Sequence, residues 1–417
     1  MKKVCLLNLG CKVNQYEIDG ILNSLKGEYT VITDLDMADI FIVNTCAVTN
    51  EAEKKSRQIL AKIRKINPDA EIFVCGCASQ NNPQQFLNKP NVKAVFGNTK
   101  KGQIKNYLSQ GGCFVEEIGK TYEDDYTATN VRTRGYVKIQ DGCNNFCSYC
   151  LIPYVRGRSR SRSLESIVKE AKALSKTCKE IVLTGINVSD YRINNKPALH
   201  KVLLALKDLP CRIRLSSMEV GIITHEFLEA VKSMKNFCPH FHLSLQSGCD
   251  KVLKDMNRHY TTSTYLGKVR MIESYFDNPC ITTDIIVGFP TENDIDFEKT
   301  LNFVKIVKFS DIHYFAYSSR PGTRVAHLQQ LNGAVIKDRE KKLEKIRAEL
   351  NKEYRQRCLN QTYQVLIEKV DENNLGVGFS QNYVKCYVQG NCSEGELVQV
   401  ETNSLYLDGL LCKKLDN

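Results

Sequence analysis

Residues 141–150 read Asp141-Gly-Cys-Asn-Asn-Phe-Cys-Ser-Tyr-Cys150, three cysteines at CxxxCxxC spacing directly after a β-type run from Gly135 to Ile139. Three thiols in one tight loop suit three corners of a cuboidal cluster, because soft sulfur ligands select iron-sulfur or zinc. A closed zinc site wants a fourth Cys or His close by, and none stands at that spacing here. Cys143, Cys147 and Cys150 are therefore the expected ligands of a cluster with one open corner, the arrangement a catalytic cluster needs.

Outward from this loop, β-type runs alternate with amphipathic stretches. Strands are expected near Gly135 to Ile139, Glu180 to Thr184, Cys211 to Ser216, His240 to Gln246, Thr282 to Val287 and Asp311 to Tyr317, with helices between them such as Leu164 to Ser175 and Asp294 to Val307. Six βα units without a glycine-rich phosphate loop imply a partial (β/α)6 barrel over residues 134–356. The triplet then lies at the C-terminal rim of the first strand, where barrel active sites assemble. Gly185, Asn187, Ser216, Glu219, Gln246 and Asp284 also fall at or just beyond strand ends, although each suits a turn or helix cap equally well.

Residues 1–112 repeat the alternation on a smaller scale. Lys3 to Asn8, Asp39 to Asn44 and Glu71 to Cys75 read as strands of a parallel α/β domain. A helix from Glu51 to Ile66 carries the stripe Ala52, Ser56, Ile59, Leu60, Ile63 and Ile66, with Asn50 and Glu53 in capping-box positions. Cys11, Cys46 and Cys77 each follow one of the three strands, at the sheet edge where ligands bind, so three thiols distant in sequence are expected to converge. Cys5 and Cys75 lie within strands and read as buried and inert.

The acidic stretch 113–133 reads as a linker. A charged helix from Ala334 to Arg357 follows the barrel, and its last 21 residues, Lys337 to Arg357, hold nine basic and five acidic side chains, a solvated face or a surface that steers a polyanion. Residues 357–417 change to short alternating runs, Tyr363 to Glu368, Tyr383 to Val388 and Leu397 to Glu401, which indicates a small all-β barrel. From Cys358 onward four basic side chains stand against eight acidic ones, so this barrel is not a general phosphate clamp.

Composition bounds the remaining possibilities. A chain of 417 residues with 42% apolar and 25% charged side chains is ordinary for a multidomain globular protein. No apolar run approaches the roughly 18 residues of a membrane span. Lys2, Lys3 and the apolar residues after them resemble a lipoprotein signal, but Asn8 interrupts a run already too short, so Met1 is expected to be the mature start. Eighteen cysteines without a secretory signal point to a reducing, cytoplasmic setting. The net charge of +11 suits a polyanionic partner, and from Arg132 to Arg162 seven basic residues face one acidic residue, Asp141. Arg156, Arg158, Arg160 and Arg162 alternate there, as a row of guanidinium groups offered to phosphates would.

Leu9-Gly-Cys-Lys-Val-Asn-Gln-Tyr-Glu17, Asn44-Thr-Cys-Ala-Val-Thr49, Gly76-Cys-Ala-Ser-Gln80 and the central triplet together resemble the radical S-adenosylmethionine methylthiotransferases, over essentially the whole chain. The resemblance implies an N-terminal cluster domain, a radical S-adenosylmethionine barrel and a C-terminal TRAM barrel that contacts RNA. It implies two 4Fe-4S clusters, a catalytic one at Cys143, Cys147 and Cys150 that binds and cleaves S-adenosylmethionine to a 5′-deoxyadenosyl radical, and an auxiliary one at Cys11, Cys46 and Cys77 that delivers methylthio. Gly185 and Asn187, with Ser216, Glu219, Gln246 and Asp284, become the expected cofactor contacts. Ser318-Ser-Arg-Pro-Gly-Thr-Arg324 resembles a family signature, so Arg320 and Arg324, with Arg156 and Arg158, become the expected RNA contacts.

The implied partners are a tRNA anticodon loop and a low-potential electron donor such as flavodoxin or ferredoxin, acting on a monomer. Cys11-Lys-Val-Asn-Gln-Tyr-Glu17 resembles the branch that modifies N6-threonylcarbamoyladenosine at position 37, whereas the isopentenyladenosine branch carries Cys-Gln-Met-Asn there. The acidic barrel keeps the branch acting on a ribosomal-protein aspartate as an alternative. A non-catalytic iron-sulfur sensor that binds RNA is the alternative from another class.

Overall fold

The computed structural model describes residues 1–124 and 133–415, so residues 125–132 of the expected linker lie outside the described residues. Near the N-terminus the strands Thr30–Ile32, Lys3–Asn8, Ile40–Thr45, Glu71–Gly76, Val92–Phe96 and Gly112–Phe114 pair in that spatial order, every pair parallel. Ile40–Thr45 is buried at every position, as a parallel strand covered on both faces must be. The helix Lys12–Leu25 packs Ile18, Ile21 and Leu25 against one face of the sheet. The helix Asn50–Ile66 packs Leu60 and Ile63 against the other.

Two local details depart from the sequence reading. Three of the six strands, Thr30–Ile32, Val92–Phe96 and Gly112–Phe114, lack a distinct alternating signal because they are short. The helix cap is Thr49, whose hydroxyl accepts the Ala52 N–H at 3.1 Å, in place of an Asn50–Glu53 capping box. Asn50 and Glu53 instead bind Arg320 of the central domain.

The central strands form two sheets. Arg212–Leu215, Glu180–Gly185, Arg134–Asp141 and the two-residue Arg160–Ser161 make one; His240–His242, Cys280–Val287 and Asp311–Ala316 make the other. Parallel bridges Ile213 to Phe237 and Met218 to Leu243 join them into one open, curved series of six parallel strands, the partial barrel. The helix Gly333–Arg357 lays Leu343, Ile346 and Leu350 against the barrel core, covering the last strand. Thr362–Val370, Gly376–Ser380, Lys385–Gln389, Gly409–Lys414 and Leu397–Tyr406 then close into the small β-barrel.

Charged residues at the starts of the barrel strands fix where this small barrel sits. Glu180 is fully buried between Arg212 at 2.5 Å, Arg214 at 2.8 Å and Arg134 at 2.9 Å. Arg212 also donates to the carbonyls of Gln364 and Phe379, and Arg214 to those of Ser380 and Gln381. Tyr383 stacks on His240 with ring centroids 4.3 Å apart. One face of the small barrel is thus spent on closing the bottom of the large one, at the end opposite the cysteine loop. Removing Glu180 would leave three guanidinium groups facing one another. Glu180→Gln is expected to cost about 3–5 kcal/mol, as breaking a buried ion pair does, and to release the C-terminal barrel to limited proteolysis.

Candidate active site

The triplet loop owes its shape to residues around it. Gly142 adopts φ +72°, and a Cβ there would lie 2.0 Å from the Arg158 carbonyl oxygen, so only glycine fits. The loop is held from across the barrel: Asn257 donates to the carbonyls of Asn145 and Phe146 at 3.0 Å, and Ser148 donates to that of Asp255 at 2.8 Å. Two donors reach sulfur. The Asn145 N–H points at Cys143 Sγ at 3.5 Å, and Arg258 Nη1 lies 3.3 Å from Cys147 Sγ while its other nitrogen binds Glu219 at 2.6 Å. Burial pushes the Cys143 thiol up to about 11 and the Cys150 thiol to about 12, so their ionisation depends on the charge of a bound metal, and cluster assembly releases protons. Gly142→Ala is expected to remove about four irons per chain, the complement of one cluster, measured by iron analysis after anaerobic reconstitution.

The second trio converges as its placement after successive strands requires. Cys11 caps the helix Lys12–Leu25, Cys46 follows Ile40–Thr45, and Cys77 opens the short helix Cys77–Asn81. The three are near enough for each thiolate to act on the others; Cys46 is pushed up to about 12, first by burial and then by Cys77. Asn14 accepts from Cys11 at 3.4 Å, and Asn98 Nδ2 lies 3.6 Å from Cys77 Sγ.

Arg156 ties the two trios together. Its side chain is fully buried, with Nε 3.3 Å from Cys77 Sγ, Nη1 bonded to Glu17 at 2.7 Å and to Asp141 at 3.3 Å, and Nη2 bonded to Asn14 at 3.0 Å. Asp141 is two residues before Cys143, so one guanidinium spans from the triplet loop to a cysteine of the N-terminal domain. Glu17 also receives Lys101 at 2.5 Å and Lys138 at 3.4 Å. Burial alone would raise the Glu17 pKa, but Arg156, Lys101 and Lys138 together hold it well below the usual carboxylate range.

The expected site residues fall into distinct places. Asn187 and Glu219 line a cavity of about 670 Å³ beside the triplet loop, together with Asn145, Arg258 and Tyr260. Gly185 packs tightly on Gln140, whose side chain accepts the Asn187 N–H at 2.8 Å. Ser216 Oγ is buried without a hydrogen-bond partner among the described residues. Asp284 binds His242 at 3.1 Å, and Gln246, at φ +73°, donates its N–H to the Asp284 carbonyl.

The arginine row is not presented as one face. Arg156 and Arg162 are buried, Arg162 on Glu170, because the segment turns through the short helix Ile152–Val155 and does not run extended. Arg320 is 2% exposed and spends its guanidinium on Asn50 and Glu53. Neither Arg156 nor Arg320 presents a free guanidinium to a phosphate in this structure. Arg158 and Arg324 are exposed and line one hollow beside the triplet, with Phe146, Tyr154 and His259. Arg258, Asn257, Asn14 and Asn98 were invisible to sequence reasoning as site residues, since no spacing rule links them to the cysteines they serve.

Among the described residues no three His, Cys, Asp or Glu side chains gather tightly enough to hold a single metal ion. The donor sets still fit a larger group. Each trio is all thiol, each has an arginine N–H directed at one sulfur, and the partnerless Ser216 hydroxyl stands at the rim where a polar cofactor would meet it.

A partial barrel with such a loop on its rim defines a radical S-adenosylmethionine enzyme, a class whose cofactors are a 4Fe-4S cluster and S-adenosylmethionine. Comparison with known proteins agrees: residues 137–304 match the radical SAM superfamily, and residues 3–97 match the uncharacterized protein family UPF0004. The chain is 36% identical to the threonylcarbamoyladenosine tRNA methylthiotransferase MtaB of Bacillus subtilis, covering 96% of this chain and 94% of that one. It is 37% identical to MtaB of Thermotoga maritima, over 100% and 98%, and 34% identical to the tRNA-2-methylthio-N(6)-dimethylallyladenosine synthase of Pelotomaculum thermopropionicum, over 91% and 89%. Among solved structures, the radical S-adenosylmethionine methyltransferase TsrM of Kitasatospora setae shares the fold at a TM-score of 0.59 and 14% identity, over 78% of this chain and 77% of that one. The chain belongs to the radical S-adenosylmethionine tRNA methylthiotransferase family.

Proposed function

We propose that this enzyme adds a methylthio group to C2 of N6-threonylcarbamoyladenosine at position 37 of tRNA, with one 4Fe-4S cluster held by Cys143, Cys147 and Cys150 and a second held by Cys11, Cys46 and Cys77. The observation that carries the two-cluster reading is Arg156, which connects Asp141 beside the first trio to Cys77 of the second. Two full-length relatives at 36–37% identity, both named for threonylcarbamoyladenosine, support the choice of base. When bound, the clusters and S-adenosylmethionine supply a hydrogen-abstracting radical and the methylthio group.

The chain's own residues then position and shield. Asn187, Glu219 and Ser216 receive the polar parts of S-adenosylmethionine, and Arg258 holds Glu219 and Cys147 in register. Arg158 and Arg324 take backbone phosphates while Phe146 and Tyr154 offer ring faces to unstacked bases. A nucleotide of an anticodon loop needs little unstacking to enter. Electrons come from a flavodoxin- or ferredoxin-like donor in the cytoplasm.

Mass spectrometry of tRNA nucleosides from a deletion strain tests the reading. Loss of the methylthio adduct of threonylcarbamoyladenosine is expected. An unchanged nucleoside profile with an altered ribosomal protein would overturn it.

A further inference from the structure

The helix Lys12–Leu25 carries its first residue into the space between the N-terminal sheet and the barrel. It packs on the strands Arg134–Asp141 and Glu180–Gly185, whose side chains Arg134, Lys138 and Glu180 face it from the barrel side. Lys12 directly follows the cluster ligand Cys11, and its charge acts on Arg214, Arg134 and His240. Its side chain is accessible to solvent, and yet burial lowers its pKa, ahead of repulsion from Arg214 and Arg134. Access combined with desolvation marks a side chain in an internal chamber. Cys11 shows the same combination.

The cations around Lys12 differ in one respect. Arg212 and Arg214 are satisfied by Glu180 and by carbonyls of the small barrel, Arg134 has Glu180 and Glu368, and Lys138 has Glu17 and Asp141. Lys12 has no carboxylate and no hydrogen-bond acceptor among the described residues. A cation held in a positively charged chamber, where every nearby acid is committed elsewhere, lowers its energy by receiving an anion from outside.

We propose that Lys12 receives the carboxylate of an N6-threonylcarbamoyl substituent and so makes the chamber selective for an anionic modified adenosine over a neutral one. The inference deepens the function proposed above and rests on it. C2 of the base must approach the cluster at Cys11, and the carboxylate extends from the same Watson–Crick edge, toward the residue adjoining Cys11. A neutral hydrocarbon substituent would leave Lys12 desolvated and unpaired. A charge-assisted bond in such a site corresponds to discrimination of about tenfold to hundredfold.

The test compares two anticodon stem-loop RNAs, one carrying threonylcarbamoyladenosine and the other its carboxylate methyl ester, with the full-length, anaerobically reconstituted enzyme. Fluorescence anisotropy gives Kd and mass spectrometry gives the methylthiolation rate. The wild-type enzyme is expected to prefer the acid over the ester by about tenfold or more in Kd. Lys12→Gln should bring that ratio to about one, and Lys12→Arg should restore most of it, at an iron content equal to wild type. A wild-type enzyme that treats acid and ester alike would overturn the role of Lys12 and leave the proposed function intact, as would a Lys12→Gln enzyme that keeps the preference. A wild-type enzyme that modifies neither RNA would overturn the substrate reading, and the inference with it. Because the acid-to-ester comparison uses unaltered protein, it decides even if Lys12→Gln disturbs the adjoining cluster.

Discussion

Replacing Cys77 by alanine is expected to abolish methylthiolation of tRNA while reductive cleavage of S-adenosylmethionine continues. The two outcomes separate because the trios lie on different elements: Cys77 opens the helix Cys77–Asn81 of the N-terminal sheet, whereas Cys143, Cys147 and Cys150 sit on the barrel rim. Iron should fall by about four atoms per chain, the content of one cluster. Cys147→Ala should instead eliminate both cleavage and transfer, since it removes the trio beside the cavity lined by Asn187 and Glu219. Assay of 5′-deoxyadenosine alongside the modified nucleoside reads both steps. Equal loss of cleavage in the two variants would contradict the division of labour.

The second large effect is expected at Arg156. Arg156→Met leaves Glu17 and Asp141 buried with fewer cations and removes the N–H that faces Cys77 Sγ. The expected destabilisation is about 3–5 kcal/mol, the usual result of deleting one partner of a buried ion pair, measured by chemical or thermal unfolding. Arg156→Lys should rescue little, because a single ammonium cannot serve Glu17, Asn14 and Cys77 as the forked guanidinium does.

The pH dependence has a defined sign. Glu17 titrates below its ordinary value of 4.5 in the folded protein, so its contribution is complete above that value and is lost as pH falls through the lower folded pKa. Removing Arg156 raises the folded pKa, which moves the acid loss of the domain interface to higher pH. An acid transition unchanged by Arg156→Met would show that Lys101 and Lys138 alone hold Glu17 charged.

Much of this architecture was legible before any coordinates. The CxxxCxxC spacing sits on a strand end whichever way the flanking periodicity is read, and the three earlier cysteines each follow an apolar run, so topology alone brings them to one edge. Other features depend on contacts between residues far apart in sequence. Arg156 and Arg158 look alike in an alternating row, yet the turn through Ile152–Val155 buries the first on Glu17 and leaves the second exposed. Asn50 and Glu53 match a capping box, but Thr49 caps the helix and the pair answers to Arg320, some 270 positions away. Arg258 carries no motif at all, and only the closing of the barrel takes it to Cys147. The acidic C-terminal barrel was a puzzle as an RNA module. Part of the answer is structural, since its loop around Tyr383 caps the bottom of the large barrel through carbonyls and stacking.

Mössbauer spectroscopy with iron counting on the full-length chain, reconstituted under strict anaerobiosis, addresses the central claim most directly. Two cubane clusters per chain, about eight irons in all, are predicted for the wild-type protein, with about four remaining when Cys11, Cys46 and Cys77 are replaced together. About four irons in the wild type, with no change on removing that trio, would contradict it.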